Sequence, residues 1–324
     1  MAEATPFASL PVGSGTGIPE RDLGETRIGP SVFRWGARTY VMGIINVTPD
    51  SFSGDGILSG ARARAPGQTL AGARPATDRD TSGSPPPEDY VQEAVEQGRR
   101  MAREGADLLD VGGESTRPGH DAVDEGEEIE RVVPVIRALR AVLPDMPLSV
   151  DTVKTAVALA ALDAGADLLN DVWGTDGRDT LARVAADRGV PIVLMHNRRE
   201  ARYTNVLAEV LADLQRALER ALDAGVAWEH LIVDPGMGFG KTAEHNLAVL
   251  GDLAQLRLLR RPVLLGISRK STIGRVLDVP ADQRLEGTLA VTALGIAAGV
   301  DIVRVHDVEA NRRAARMSDA IVRR

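Results

Sequence analysis

The chain has 324 residues, 44% hydrophobic and 26% charged, enough for one large core or two ordinary ones and too apolar for a mostly disordered protein. It has no cysteine, which excludes a disulfide framework, a thiolate metal site and a cysteine nucleophile, and five histidines leave little scope for a histidine-rich metal site. The net charge of −8 argues against nucleic acid as a partner, and no apolar run reaches the ~18 residues of a membrane span. The N-terminus, Met1-Ala2-Glu3-Ala4, lacks the basic and apolar regions of a secretory signal, so a cytoplasmic protein with no membrane partner is expected. The cations are 35 arginines and only three lysines, so each lysine invites a reason.

Residues 1–30 are rich in Gly, Pro and Ser and lack periodicity, and read as a disordered extension. From Tyr40 onward, short apolar runs alternate with longer helical patterns. The runs are Tyr40 to Asn46, Asp107 to Val111, Leu148 to Val150, Asp167 to Leu169, Pro191 to Met195, Leu231 to Val233, Val263 to Ile267 and Ile302 to Val305. They are too short for independent helices and do not alternate strictly, which fits strands of a parallel sheet buried on both faces. Amphipathic stretches lie between them, among them Tyr90 to Arg103, Glu127 to Leu143, Val206 to Ala224 and Leu285 to Ala298. Eight such units predict an α/β fold, a single (β/α)8 TIM barrel spanning 31–324. A doubly wound open sheet is the alternative; it would lack pairing between the first and last strands. Residues 57–87 have almost no large apolar side chains and end in Ser84-Pro85-Pro86-Pro87, so they read as a disordered insertion in the loop after strand 1.

Polar residues gather where each strand ends. Asn46 and Asp50 follow strand 1, Glu114 to Arg117 strand 2, Asp151 strand 3, Asn170 and Asp171 strand 4, and Met195-His196-Asn197 closes strand 5. Asp234 ends strand 6, Ser268-Arg269-Lys270-Ser271 follows strand 7, and Arg304 and His306 lie at the end of strand 8. In barrels that face carries the active site, so the ring predicts an enzyme. Asp151, Asp234 and Asn170 offer two carboxylates and one carboxamide, a set suited to a flat, amino-substituted heterocycle. One lysine and two arginines suit a phosphate-bearing substrate, and Asn46 with Asp50 suits Mg²⁺. The segment from Asp234 to Thr242 resembles a P-loop, but Pro235 stands where the pattern needs glycine, so it reads as a glycine-rich substrate loop. Lys241 reads as a surface or loop cation, Lys270 as a site residue and Asp110 as structural, bonding neighbouring backbone. His196 fits a ligand or a hydrogen-bonded rim histidine equally, and Trp173 fits pocket or core. His120, His230 and His245 read as surface residues.

Two segments carry a resemblance: Met42-Gly43-Ile44-Ile45-Asn46-Val47-Thr48-Pro49-Asp50-Ser51-Phe52-Ser53 and Asp110-Val111-Gly112-Gly113-Glu114-Ser115-Thr116-Arg117-Pro118-Gly119. With Ser149-Val150-Asp151-Thr152, Asn170-Asp171-Val172, Asp234 to Lys241, Ser268-Arg269-Lys270-Ser271 and Arg304-Val305-His306-Asp307-Val308, in this order, the chain resembles the dihydropteroate synthases. The resemblance implies a folate-pathway barrel that joins (7,8-dihydropterin-6-yl)methyl diphosphate to 4-aminobenzoate with Mg²⁺, by an SN1-like path. It implies pterin contacts from Asp151, Asn170, Met195, Asp234, Phe239, Lys270 and Arg304. Asn46, Arg304 and His306 would take the diphosphate, with Asn46 also at the metal. Thr116, Arg117, Ser268 and Ser271 would serve the aminobenzoate, and the loops of Asp50 and Arg117 would close over the site. It further implies a homodimer and inhibition by sulfonamides. The insertion departs from the family pattern, and the loop after strand 5 is compact. A methyltetrahydrofolate–corrinoid methyltransferase and a non-catalytic pterin binder are the rival readings.

Overall fold

The structure, a computed structural model, describes residues 23–47, 87–114 and 123–323. It begins with a hairpin, β1 (Glu25–Ile28) and β2 (Ser31–Arg34), paired antiparallel from Glu25 opposite Arg34 to Ile28 opposite Ser31. The composition predicts a disordered extension to residue 30; residues 23–30 instead enter this hairpin and the contacts it makes. Ile28 and Phe33 are buried, and with Leu23, Trp35 and Tyr40 they pack on Met42, Leu108, Leu168, Val193, Ile232, Leu264 and Ile302. The last seven come from the N-terminal parts of barrel strands, so the hairpin plugs the bottom of the barrel. Phe33 and Tyr40 lie 4.5 Å apart between ring centres, which places three of this chain's few aromatics at the plug.

The barrel strands are β3 (Tyr40–Asn46), β4 (Leu108–Gly112), β5 (Leu148–Asp151), β6 (Leu168–Asp171), β7 (Ile192–Met195), β8 (Leu231–Asp234), β9 (Leu264–Leu265) and β10 (Ile302–Val305). All pair in parallel, in the order β8-β7-β6-β5-β4-β3-β10-β9. Ile302 sits opposite Tyr40 and Val305 opposite Gly43, the pairing of first and last strands that an open doubly wound sheet lacks. The remaining seam closes through a parallel bridge between Val233 and Val263, with the Val233 N–H donating to Pro262 O at 3.0 Å. Near-continuous burial of these strands explains why they read as apolar runs rather than alternations.

Helices α1 (Pro87–Glu104), α2 (Glu125–Val142), α3 (Thr155–Ala164), α4 (Thr180–Arg188), α5 (Val206–Asp223), α6 (Ala243–Gly251), α7 (Ser271–Leu277), α8 (Leu285–Ala298) and α9 (Val308–Val322) alternate with the strands. In α5 the buried residues Val206, Val210, Leu214, Ala217, Leu218 and Ala221 recur at helical spacing, and Asn205 caps the start by accepting from the Ala208 N–H at 3.1 Å. The strand expected over Val263 to Ile267 shortens to two residues. At one end Asp301 Oδ2 accepts from the Val263 N–H at 3.0 Å in place of a ladder partner. Among the described residues no helix is long and apolar enough to cross a membrane.

Candidate active site

The C-terminal ends of the strands bring the predicted residues together. Asn46 ends β3, Asp151 β5, Met195 β7 and Asp234 β8, while Asn170 lies in β6 and Arg304 in β10. Arg304 is the electrostatic centre. Its Nε donates to Asp110 Oδ2 at 2.6 Å and its Nη2 to Asp151 Oδ2 at 2.8 Å. Asn170 Nδ2 donates to the same Asp110 oxygen at 3.1 Å. Asp110 is therefore part of the site, not a strand residue bonding neighbouring backbone as the sequence suggested. Asp110 Oδ1 and Asp151 Oδ1 are buried with no hydrogen-bond partner among the described residues. A buried acceptor left unpaired costs about 1–3 kcal/mol, so these oxygens call for a ligand with N–H donors.

Burial raises the Asp151 carboxyl to about 7; Arg304 pulls it down and Asp110 pushes it further up. Burial works to lower the Arg304 guanidinium, yet Asp110 and Asp151 outweigh it and hold its pKa above the ordinary value. Asp234 is raised by burial, moderated by Lys270 and by the Gly236 N–H, which donates to Asp234 Oδ1 at 2.6 Å. Gly266 borders this floor; a Cβ there would stand 3.8 Å from Asp234 Oδ2 and 3.9 Å from Arg304 Cβ, in ordinary van der Waals contact.

Beside this polar floor lies an apolar wall of Val172, Met195 and Phe239, against which Val153 and Trp173 pack. Trp173 is thus half-buried and packs on this wall. Lys270 Nζ lies 4.5 Å from the centre of the Phe239 ring and donates to Met237 O. The loop from Gly236 to Gly240 needs its glycines. A Cβ on Gly236 would fall 1.8 Å from His196 O, and one on Gly240 would fall 2.2 Å from Arg198 O.

Lys241 is not the surface cation the sequence suggested. Its ammonium is tucked behind that loop and donates to His196 Nδ1 at 2.8 Å, Gly236 O at 3.0 Å and Phe239 O at 3.1 Å. Burial lowers it to about 7, with Asp234 opposing. His196 is fully buried and lowered to about 4 by burial, although its Nε2 lies 3.1 Å from Asp213 Oδ2. It is a hydrogen-bonded histidine, with no metal-ligand cluster of three or more His, Asp or Glu among the described residues.

On the far side of Lys270, Ser268 Oγ accepts from the His306 backbone N–H at 3.2 Å and lies 3.0 Å from His306 Nδ1. Between Ser268 and Lys270, Arg269 takes a left-handed φ of 55° and is held by Asp307 through two bonds of 2.9 and 2.6 Å. Ser271 opens α7 and is exposed; Asn46 is half-buried. Asp50, Thr116 and Arg117, and the 57–87 segment, lie outside the described residues. Asp110 and Lys241 are the site residues that sequence reasoning missed. The rarity of lysine was the available signal for Lys241, whereas Asp110 gave none beyond a polar residue inside an apolar strand.

The sequence pattern of the pterin-binding enzymes matches residues 84–306. This chain belongs to the dihydropteroate synthase family. The dihydropteroate synthase of Clostridium beijerinckii is 45% identical over 299 residues, which cover 92% of this chain and all of that relative. The crystal structure of a dihydropteroate synthase from Clostridium difficile in the presence of pteroic acid superposes with a TM-score of 0.78 at 42% identity, covering 90% of this chain and all of that one. The Yersinia pestis dihydropteroate synthase with a sulfonamide drug gives a TM-score of 0.77 at 35% identity, covering 91% and 98%. Family membership accords with the folate-pathway transferase expected from the motifs, and neither rival barrel reading is needed.

Proposed function

We propose that this chain condenses (7,8-dihydropterin-6-yl)methyl diphosphate with 4-aminobenzoate, releasing diphosphate and forming 7,8-dihydropteroate. The observation that carries the reading is the buried set of Asp151, Asn170 and Asp234 around Arg304, with an unpaired carboxylate oxygen on Asp151. A flat pterin, with N–H donors along one edge and acceptors beside them, satisfies these groups, and the wall of Met195 and Phe239 supplies its apolar face.

The roles follow from position for the described residues and from the family motifs for Thr116, Arg117 and Asp50. Asp151, Asn170, Asp234 and Lys270 bind the pterin edge, and Met195 and Phe239 line its ring. Arg304, His306 and Asn46 take the diphosphate. Ser268, Ser271, Thr116 and Arg117 serve 4-aminobenzoate, and Asp50 belongs to the first family motif. Ser268 Oγ accepts from the His306 backbone N–H and lies 3.0 Å from Nδ1, so it orients the imidazole.

The reaction breaks the bond between the pterin methylene carbon and the diphosphate oxygen. The electron pair leaves with diphosphate, and the electron-rich dihydropterin spreads the positive charge that remains. The amine nitrogen of 4-aminobenzoate then gives its lone pair to the methylene carbon and loses a proton to solvent. An aromatic amine is nucleophilic without a strong base, which agrees with a site built of hydrogen-bond donors and fixed charges. Asn46, a neutral oxygen donor at the end of β3, fits Mg²⁺ carried on the diphosphate, because that ion takes one or two protein ligands plus phosphates and water. Asp50, by its carboxylate, would be a second oxygen donor for it. When bound, Mg²⁺ neutralises negative charge on the leaving diphosphate.

Sulfonamides resemble 4-aminobenzoate, and we propose that they compete with it here. Raising 4-aminobenzoate should relieve inhibition; full activity with sulfonamide in large excess over 4-aminobenzoate would contradict the assignment of that subsite.

A further inference from the structure

We infer that Lys241, oriented by His196 and Asp213, is a positioning residue that sets the pterin wall by holding the 236–240 loop from behind. The inference rests on the pterin reading of the pocket. The loop has three glycines at positive φ: Gly236 at 66°, Gly238 at 81° and Gly240 at 54°. Such a chain has many conformations to lose on ordering and no side-chain packing of its own at those positions. Its carbonyls are pinned instead by side chains. Lys241 takes Gly236 O and Phe239 O, Lys270 takes Met237 O from the opposite side, and the Tyr203 hydroxyl donates to Gly240 O at 2.8 Å. Phe239, the aromatic of the pterin wall, is thus clamped at its own carbonyl.

The third acceptor of Lys241 fixes its direction. His196 Nδ1 accepts from the ammonium at 2.8 Å, so the imidazole proton sits on Nε2 and donates to Asp213 Oδ2. Asp213 is held in turn by Arg198, whose Nη2 donates to the same oxygen at 2.7 Å and whose Nη1 donates to Glu209 Oε2 at 2.6 Å. Three converging acceptors match the three N–H bonds of an ammonium, whereas the planar fork of arginine does not converge on them. This accounts for a lysine at 241 in a chain that otherwise writes arginine.

The test uses the full-length protein and 7,8-dihydropterin-6-ylmethyl diphosphate as the probe. Wild-type pterin binding is measured first by calorimetry; its failure would remove the pterin reading itself, and with it this inference. Given wild-type binding, Lys241→Met should weaken pterin affinity and raise the KM for the pterin diphosphate by about tenfold or more, because the loop loses both carbonyl bonds to Lys241. The KM for 4-aminobenzoate should stay within about twofold, since that loop is on the pterin side, and Lys241→Arg should recover only part of the loss. Pterin affinity unchanged in Lys241→Met, or an equal rise in both KM values, overturns the inference. Nitrogen-15 NMR of the wild-type histidines, with His196 assigned by its absence in His196→Asn, gives a readout independent of the lysine variants. The expected signal is a neutral ring protonated on Nε2 near pH 7; an imidazolium or a ring protonated on Nδ1 overturns the inference.

Discussion

Replacing Arg304 by methionine should destabilise the fold, and more so at high pH. The side chain lies between two buried carboxylates, at 2.6 Å from Asp110 and 2.8 Å from Asp151. Removing one partner of a buried ion pair leaves an uncompensated charge and costs about 3–5 kcal/mol. Asp151 has an escape, because a carboxyl already raised to about 7 can take up a proton. Its folded pKa is above the ordinary value of 3.8, so its contribution to stability is full below that value and is lost as pH rises through about 7. Without Arg304 its pKa climbs further. At pH 6 Asp151 is mostly protonated with or without Arg304, and little of its attraction is left to lose. At pH 8, one unit above that pKa, the upward shift adds at most about 1.4 kcal/mol to the deficit however far it goes. The variant should therefore lose about 1 kcal/mol more at pH 8 than at pH 6. Adding Asp110→Asn should recover part of the loss, because one buried carboxylate is gone. Urea melts of the wild type and both variants at the two pH values measure this. A loss equal at pH 6 and pH 8, or an Asp110→Asn change that destabilises the variant further, would refute the reasoning.

Other consequences follow from the same geometry. Asp234→Asn and Lys270→Ala should each lower kcat/KM for the pterin diphosphate at least tenfold, from ~1.5–3 kcal/mol of charged hydrogen bonding, while circular dichroism stays unchanged. Near-normal turnover in either would count against the pterin site. Pterin donors favour ionised Asp151, so pterin affinity should fall as pH drops below about 7, with proton release on binding near neutrality. Calorimetry in two buffers of different ionisation enthalpy reads that proton directly, and identical heats would exclude it. His196, lowered to about 4, contributes stability that is present above its ordinary 6.5 and lost as pH falls through about 4. His196→Asn should therefore flatten the acid limb of the stability profile, which a thermal melt series from pH 4 to 7 would show.

The barrel was legible because strands buried on both faces read as apolar runs, and because each run ends in a hydrogen-bonding residue. The plug was not legible. Its strands are four residues long, alternate between buried and exposed, and turn at Gly29-Pro30, so they resemble the extension that precedes them. The ring of site residues could be read because Asp151, Asn170, Asp234 and Arg304 lie at strand ends. Their pairing could not, since the bond from Arg304 to Asp110 spans 194 positions and depends on barrel closure. The lysines show both sides of this. All three sit at the C-terminal side of the barrel and are engaged there: Lys154 by Glu114 and Glu128, Lys241 by His196 and two carbonyls, Lys270 by Met237 O and the Phe239 ring. Their scarcity marked them, but for Lys241 only the fold revealed whether the side chain turned inward. Arg269 is similar, because its left-handed backbone, which sets Ser268 and Lys270 apart, is secured by Asp307 from the next unit.

The central claim is tested most directly by diphosphate release from the full-length protein with Mg²⁺, (7,8-dihydropterin-6-yl)methyl diphosphate and 4-aminobenzoate, beside controls that omit each one. The account predicts release that needs both substrates, is lost on chelation of Mg²⁺ and yields one 7,8-dihydropteroate per diphosphate. Tight pterin binding with no release that depends on 4-aminobenzoate would contradict it.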